Sequence, residues 1–261
     1  MTLVRREVSS MLDVVILAGG RNSGPLRECS DAYSEAMIKI GQKPMIRYVA
    51  EALFQSEHVN KIVIIGSDEM KSVFPEKNVT VIAPEESAVQ NVIKGLRHVD
   101  ASGKVMIATC DIPLLTPKAV DEFIGMTLAD GVDLFYPIVP MKEIRKVFPD
   151  IKRTSVKLTE GTFTGGNLFV INPNAVGGCV KKVEQFVSLR KSPLKLCRLL
   201  GMGFVVKFLL KKLSISEIEQ KVSELLGITG RAVITCYPEI GVDVDKPSDL
   251  SIVSAFLHKP A

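Results

Sequence analysis

The sequence lacks closely spaced cysteines and long hydrophobic runs. Its five cysteines stand far apart, with no C-x-x-C pair and no zinc-finger spacing, which suits a reducing compartment. No segment reaches the roughly 20 apolar residues of a membrane span. Polar residues interrupt the stretch after Arg5 and Arg6, so no signal peptide is predicted and we expect a cytoplasmic protein. The cysteines are Cys29, Cys110, Cys179, Cys197 and Cys236.

A strong net charge is also absent. The 261-residue chain carries a net charge of +4, its basic residues are mostly spread out, and it has no arginine-rich arm. These features exclude a nucleic-acid footprint, so we predict no nucleic-acid partner. With 46% hydrophobic residues, the chain is long enough to bury a large core.

The first motif that the sequence contains is DVVILAGGRNSGP, from Asp13 to Pro25. The run from Val14 to Leu17 is typical of a strand buried on both faces. Gly19, Gly20 and Gly24 then allow positive φ and a close approach of the backbone to a ligand. Such a loop commonly presents backbone N–H groups to phosphate. The alternative is a tight strand-to-helix connection without a ligand.

Two known phosphate motifs do not fit this loop. Pro25 and Leu26 stand where a P-loop needs Lys and then Ser or Thr. Arg21 occupies the second glycine position of the G-x-G-x-x-G dinucleotide fingerprint. Both motifs are therefore excluded.

Acidic residues follow two further predicted strands. Asp111 comes just past the strand from Val105 to Ala108, at the carboxyl edge where open α/β sheets bind ligands. After the strand from Arg231 to Tyr237, Asp243 and Asp245 point to the same side of an extended segment because they are two positions apart. Two such motifs together predict a divalent-metal site.

Each acidic motif has a purely structural alternative. Asp111 is a candidate cap for the helix that starts near Pro117, although Thr116 already stands at that position. Asp245 is a candidate cap for the helix from Pro247. Other apolar patterns predict strands at 61–66, 79–83 and 133–140, an edge strand at 153–158, and helices from 44, at 86–96 and at 141–148.

Two later segments differ in character. GTFTGGNLF, from Gly161 to Phe169, exposes N–H and hydroxyl groups before an apolar strand, or else forms a hairpin or bulge. The helical insertion at about 180–228 includes a basic, apolar stretch at 193–213. That stretch suits an anionic membrane surface or a lipid-linked acceptor, but such a face more often packs on its own sheet or on a partner subunit. Ser214 and Glu217 predict a capping box.

In this order, the motifs resemble those of the MobA-like and sugar-phosphate nucleotidyltransferases, whose NTP transferase domain has a GT-A-like fold. The resemblance covers most of the chain. It implies one nucleotide-diphospho-sugar transferase-like domain over 1–261, a three-layer α/β/α structure with a mostly parallel central sheet, plus the helical insertion.

The resemblance also implies roles for particular residues. Asp111 would bind the Mg²⁺ that bridges the α-phosphate, and the later acidic motif would complete the metal site with Asp243 and Asp245. The catalytic candidates are Asp111, Asp245, Arg21 and Lys43. The nucleotide-binding candidates are Leu17, Ala18, Gly19, Gly20, Arg21 and Asn91, and the acceptor-binding candidates are Thr164, Gly165, Gly166 and Asn167.

Two cations of the family pattern are missing here. Glu35 stands at the position of the catalytic Lys, and Gly24 at the position of the loop Arg. Their loss should weaken NTP binding and transition-state stabilisation unless other cations substitute. The nearest substitutes in the sequence are Arg21, Arg27, Lys39 and Lys43.

The function that the resemblance implies is Mg²⁺-dependent transfer of an NMP from an NTP to a phosphorylated small-molecule acceptor, with release of pyrophosphate. A phosphate dianion is already a nucleophile, which agrees with the absence of a matching His motif. One alternative is a catalytically silent nucleotide-binding or regulatory relative. Another is a glycosyltransferase, which needs a D-x-D motif where only Asp111 is found, after Thr109.

Overall fold

The computed structural model describes residues 11–189 and 199–258. Its strands within these ranges are β1 (Leu12–Leu17), β2 (Lys39–Ile40), β3 (Lys43–Pro44), β4 (Val59–Ile65), β5 (Val79–Ile82), β6 (Val105–Thr109), β7 (Leu134–Pro140), β8 (Val156–Lys157), β9 (Thr162–Gly165), β10 (Leu168–Ile171) and β11 (Gly230–Ile234). Its helices are α1 (Met45–Phe54), α2 (Ala88–Leu96), α3 (Pro117–Gly125), α4 (Met141–Val147), α5 (Pro173–Leu189), α6 (Met202–Leu209), α7 (Ile215–Leu226) and α8 (Pro247–Leu257).

Nine of these strands form one mixed sheet in the described chain. Its order is β5-β4-β1-β6-β10-β7-β9-β8, and β11 pairs with β7. The pairs among β5, β4, β1 and β6 are parallel, as is the pair of β7 with β11. Strands β8, β9 and β10 make antiparallel pairs. The predicted α/β class is confirmed, with a parallel core and an antiparallel half that the sequence did not predict.

Helices cover both faces of the parallel core. Val14 and Ile16 of β1 pack in one apolar cluster with residues of α1 and α3. Val15, the residue between them, packs in another cluster with residues of α2 and α5. Alternation along a strand therefore divides the core into two layers, as expected for a strand that is buried on both faces.

The register of the sheet gathers three loops at one edge. Leu17 at the end of β1 is level with Ile65 of β4 and with Thr109 of β6. The glycine loop and Asp111 therefore leave the sheet side by side. Because β10 runs against β6, with Leu168 opposite Ala108, the residues that precede β10 reach the same edge.

The helical insertion is described except for residues 190–198, so the beginning of the predicted stretch 193–213 lies outside the described residues. Helix α5 begins at Pro173 and contacts α2 and α7. The predicted capping box of α7 is confirmed, since Ser214 and Glu217 each accept from the other's backbone N–H. No helix in the described ranges is long and apolar enough to cross a membrane.

Candidate nucleotide and metal site

Three carboxylates meet at the carboxyl edge of the parallel core. Asp111, Asp243 and Asp245 each offer one oxygen atom, and these atoms lie within 4.8 Å of one another. The two acidic motifs are joined through their backbones, because the Val244 amide donates to the Asp111 carbonyl oxygen over 2.9 Å. Residues far apart in the chain thus form one acidic cluster, which we define as Asp111, Asp243 and Asp245.

Asp111 and Asp245 do not cap the helices that follow them, which was the structural alternative for each. Thr116 is the N-cap of α3, and its hydroxyl accepts a hydrogen bond from the Ala119 amide. Lys246 is the N-cap residue of α8, with no side-chain cap. The carboxylate near that helix start is Asp249, which accepts from the Asp245 amide over 3.3 Å. The Asp111 and Asp245 side chains are therefore not used as helix caps.

Arg153 is the cation of the acidic cluster. Its guanidinium pairs with Asp243 and lies 3.9 Å from a carboxylate oxygen of Asp245. The Arg153 and Asp243 side chains are each only 13% exposed, whereas that of Asp245 is 69% exposed. The buried Nε of Arg153 has no hydrogen-bond partner in the described chain. Arg153 thus has one guanidinium N–H group that its ion pairs with the cluster do not use.

The sequence pattern predicts an edge strand over 153–158 and indicates no role for Arg153. The strand at that edge, β8, contains only Val156–Lys157. The local sequence carries no signal for the role of Arg153, because its partners Asp243 and Asp245 come from a distant part of the chain.

Glu35, at the position of the family's Lys, faces the acidic cluster. Burial raises the pKa of its carboxyl, and the charges of Asp111 and Asp245 raise it further. A Cβ atom at Gly20 or Gly24 would lie 3.7 or 3.6 Å from the Glu35 carboxylate oxygens. Glu35 therefore places a fourth carboxyl between the glycine loop and the cluster.

Asp111 lies in an environment that disfavours its charge. Burial is the largest cause that raises its pKa, and Asp245 raises it as well. A hydrogen bond of 2.5 Å from the Thr109 hydroxyl and the charge of Arg153 act in the opposite direction. The neighbouring Cys110 thiol is buried, and burial raises its pKa well above the ordinary value. A nucleophilic thiolate at Cys110 is therefore disfavoured.

The glycine loop packs tightly against the β5–α2 connection. A Cβ atom at Gly19 would lie 2.6 Å from Cβ of Pro84, and 3.3 Å from Nδ2 of Asn91. Gly19, Gly20 and Gly24 do not have positive φ, so that part of the prediction is wrong. Close packing, rather than a left-handed backbone, makes glycine necessary at position 19.

The other nucleotide-binding candidates surround this loop. Leu17 ends β1, and Ala18 follows it in the buried core. The amides of Gly19 and Gly20 have no hydrogen-bond acceptor in the described chain, so they are available to a phosphate. Asn91 is buried, and its Oδ1 accepts from the Glu85 amide over 2.6 Å. Its side chain thus fixes the connection beside Gly19.

The sequence offers four candidates to replace the missing family cations. None of these four has an ion pair with the acidic cluster in the described chain. Lys43 pairs with Glu51 at 2.6 Å and lies over the Tyr48 ring. Arg27 pairs with Asp31, and Lys39 is exposed. Arg21 is exposed, and its guanidinium carbon lies 5.5 Å from the centroid of the Tyr33 ring. Among the described residues, Arg153 is the cation that has ion pairs with the acidic cluster.

The acceptor-binding candidates pack between the strands. Thr164 is buried, and its hydroxyl donates to the Thr154 carbonyl oxygen. Gly165 packs against the Tyr136 side chain, and a Cβ atom at this position would clash with the phenol oxygen. Gly166 packs against Pro137 and Ile240. These contacts give the glycines a packing role.

Asn167 connects this segment to the two acidic motifs. Its carbonyl oxygen accepts from the Thr109 amide, and its own amide donates to the Ile240 carbonyl oxygen. Asn167 therefore lies between the strand that leads to Asp111 and the segment that leads to Asp243. The predicted acceptor segment and metal site are neighbours.

The chain is similar to known nucleotidyltransferases. The family model described as MobA-like NTP transferase domain matches residues 14–157, more than half of the chain. A hypothetical transferase from Thermus thermophilus is 35% identical, with a TM-score of 0.82, and the match covers 92% of this chain and 99% of that one.

More distant matches agree with the fold. A CMP:2-keto-3-deoxy-manno-octonic acid synthetase solved with CTP is 14% identical, with a TM-score of 0.61, and the match covers 95% of this chain and 98% of that one. The bifunctional protein GlmU of Thermodesulfovibrio yellowstonii is 26% identical over 134 residues, which are 48% of this chain and 28% of that protein. The chain thus spans only about a quarter of the length of the curated relatives that it matches.

Proposed function

The chain belongs to the MobA-like NTP transferase domain family, and from this premise we propose that it transfers an NMP from an NTP to a phosphorylated small-molecule acceptor. The reaction forms a bond between an acceptor phosphate oxygen and the α-phosphorus. It breaks the bond from the α-phosphorus to the bridging oxygen, and pyrophosphate leaves. The observation that carries this proposal is the meeting of the acidic cluster, the glycine loop and Asn167 at one sheet edge.

Mg²⁺ suits the residues of the acidic cluster. Mg²⁺ prefers oxygen ligands and takes one or two protein carboxylates together with water and substrate phosphates. Asp111, Asp243 and Asp245 supply such oxygens within 4.8 Å of one another. Arg153 is the cation that pairs with this cluster, and Glu35 adds a further carboxyl beside it. When bound, Mg²⁺ would neutralise charge on the α-phosphate.

Arg153 takes the electrostatic role of the missing Lys in this proposal. A guanidinium suits phosphate oxygens because it offers several donors in a fixed plane. The Arg153 guanidinium lies beside Asp243 and Asp245, so it would supply positive charge next to a triphosphate bound at the acidic cluster. The amides of Gly19 and Gly20 bind the other side of the triphosphate.

The acceptor phosphate needs no general base, because its dianion attacks the α-phosphorus directly. The chain contributes orientation, which places the attacking and leaving oxygens in line. Asn167 and the backbone at Gly165 are the groups of the acceptor segment that are partly exposed, so they orient the acceptor. Thr164 supports this segment through its hydrogen bond to Thr154.

The test is pyrophosphate release from each common NTP with Mg²⁺, over a panel of phosphorylated acceptors. Wild type should release pyrophosphate only with Mg²⁺ and a matching acceptor, and Asp111→Ala should abolish the release. Asp150→Ala, which changes an exposed aspartate elsewhere, is the matched control. Release that persists at the wild-type rate in Asp111→Ala would contradict the proposal.

One observation favours the catalytically silent alternative. Glu35 places a carboxyl where the family pattern has a cation, and burial, followed by the charges of Asp111 and Asp245, raises its pKa. If Glu35 stands in place of a lost catalytic Lys, wild type should release no pyrophosphate. Glu35→Lys should then restore pyrophosphate release. In our proposal Glu35→Lys instead weakens Mg²⁺ binding and lowers the rate, because the new cation pairs with Asp111 and Asp245. Glu86→Lys, an exposed change of the same charge, is the control.

A further inference from the structure

Helix α6 carries an apolar stripe on its outer surface. Met202, Val206, Leu209 and Leu210 follow the i, i+4, i+7, i+8 spacing that places residues on one helical face. Their exposed fractions are 74%, 45%, 70% and 60%. Stripes with this spacing usually pack on a core, so four exposed members in one stripe call for a partner.

The opposite side of this segment is anchored to the protein. Phe204 packs on a buried cluster that contains Leu158, Phe163 and Leu213. Lys207 pairs with Glu217 of α7. These contacts fix which side of α6 faces inward, so the apolar stripe is held outward.

The segment that carries the stripe is strongly basic. Residues 181–213 contain nine Lys or Arg and one acidic residue, Glu184, a net charge of +8 against +4 for the whole chain. The remainder of the chain is therefore net acidic. Lys211 and Lys212 follow the stripe directly and are exposed, and no ion pair is found for them in the described chain.

We propose that this surface, the α6 stripe with Lys211 and Lys212, docks on an anionic lipid bilayer. Apolar side chains beside lysines are what an interfacial helix needs, since the former enter the acyl boundary and the latter meet anionic headgroups. A second copy of the chain is disfavoured as the occupant. A two-fold interface would bring the same basic segment against itself, and like charges would repel.

The docking is peripheral, since α6 spans only Met202–Leu209 and no described helix is long and apolar enough to cross a bilayer. It does not depend on the transferase reaction, because none of these residues belongs to the acidic cluster, the glycine loop or the acceptor segment. Loss of docking and loss of catalysis are therefore separate results.

The test is co-sedimentation of the full chain with vesicles. One set contains phosphatidylcholine alone, and the other contains equal amounts of phosphatidylcholine and phosphatidylglycerol. We expect binding to the anionic vesicles and at least about tenfold weaker binding to the neutral ones. High salt should release the protein, because it screens the lysines from the headgroups.

Three double variants separate the contributions of the apolar side chains and the lysines. The pair Leu209→Glu and Leu210→Glu should abolish vesicle binding, and the pair Lys211→Ala and Lys212→Ala should weaken it about 25-fold, since each lysine near an anionic leaflet is worth about fivefold. The pair Lys211→Arg and Lys212→Arg should bind like wild type. Leu128→Glu, a change at an exposed leucine elsewhere, is the matched control.

Three outcomes would overturn the proposal. They are absence of binding to the anionic vesicles, equal binding to both vesicle types, and a dimer in light scattering that the Leu209→Glu and Leu210→Glu pair dissociates. Circular dichroism of each variant should match wild type because the changed side chains are exposed.

Discussion

Within residues 11–189 and 199–258, Arg153 is the cation that forms ion pairs with the carboxylates of the site. Asp111, Asp243, Asp245 and Glu35 bring four carboxyls together, and Arg153 pairs with two of them. Their mutual repulsion costs stability in the absence of metal. The residue pattern is thus one that a divalent cation would stabilise.

Arg153→Ala should lower kcat for pyrophosphate release by about 10²–10³, as is typical when one group that stabilises transition-state charge is removed. Arg153→Lys should retain part of the rate, since a lysine keeps the charge but loses the planar donor set. Steady-state kinetics measure both. Arg145→Ala on α4, an exposed arginine, is the control. A wild-type rate for Arg153→Ala would show that the missing Lys is replaced by another group.

The raised pKa values of Asp111 and Glu35 predict a pH dependence of stability. Burial and neighbouring carboxylates make these groups hold protons more tightly in the folded, metal-free protein than in the unfolded chain. Stability should therefore fall as the pH rises from the ordinary pKa, about 4, through the raised values. Thermal unfolding of metal-free protein across this interval measures the effect.

Asp111→Asn tests the same point at fixed pH. The change removes a charge that burial penalises, so it should raise the unfolding temperature of the metal-free protein at neutral pH while it abolishes activity. Saturating Mg²⁺ should stabilise wild type and have little effect on the variant. A lower unfolding temperature for metal-free Asp111→Asn would contradict this interpretation.

At the scale of single residues, the sequence predicts the three carboxylates of the acidic cluster but not Arg153, the cation that pairs with them. Asp111, Asp243 and Asp245 follow apolar strands, so sheet geometry alone brings them to one edge. Asn91, a nucleotide-binding candidate, is buried, and its side-chain oxygen accepts from the Glu85 amide. The position of Arg153 depends on a pairing across the chain, which local patterns do not encode.

At the scale of elements, two glycines have opposite surroundings. Gly19 lies against Pro84, where a Cβ atom would be 2.6 Å from the proline Cβ. Gly178 lies within α5, exposed, with nothing within 4 Å of its Cβ position. One glycine is required by packing, and the other only weakens its helix.

Gly19→Ala should destabilise the protein by about 1–3 kcal/mol, because the glycine loop must shift away from a rigid ring. It should also weaken NTP binding, since the shift moves the free amides. Gly178→Ala is the paired variant and should stabilise by about 0.5–1 kcal/mol without changing NTP binding. Urea unfolding and calorimetry measure both. Equal effects of the two substitutions would refute the packing role of Gly19.

The elements themselves were predictable where the hydrophobic period was clear. The predicted strand at 61–66 is β4, Val59–Ile65, and the predicted helix at 141–148 is α4, Met141–Val147. The predicted edge strand at 153–158 was too long, since β8 has two residues. Short edge strands are set by their partners rather than by their own sequence.

At the scale of the whole molecule, the sheet is less parallel than its sequence implies. Buried strands such as β1 and β6 predict a parallel core, which is present. Strand direction in the other half depends on how β10 returns beside β6, and a hydrophobic run carries no information about direction. That reversal is what brings Asn167 beside Thr109, two residues before Asp111.

Charge is also distributed unevenly over the molecule. The basic segment at 181–213 has a net charge of +8, which is larger than the +4 of the whole chain. The remainder, which includes the acidic cluster, therefore has a negative net charge. In the proposed function, a substrate triphosphate would therefore be bound by local cations and Mg²⁺ rather than attracted by a general positive field.

NTP affinity with and without Mg²⁺, measured by calorimetry on wild type, Asp111→Ala and Asp243→Ala, tests most directly whether the acidic cluster binds metal together with nucleotide. It needs no knowledge of the acceptor. We predict that wild type binds at least one NTP tightly with Mg²⁺, and at least about tenfold more weakly without Mg²⁺ or in either variant. Asp150→Ala should bind as wild type does. The same affinity with and without Mg²⁺, or wild-type affinity in Asp111→Ala, would contradict a metal-dependent nucleotide site.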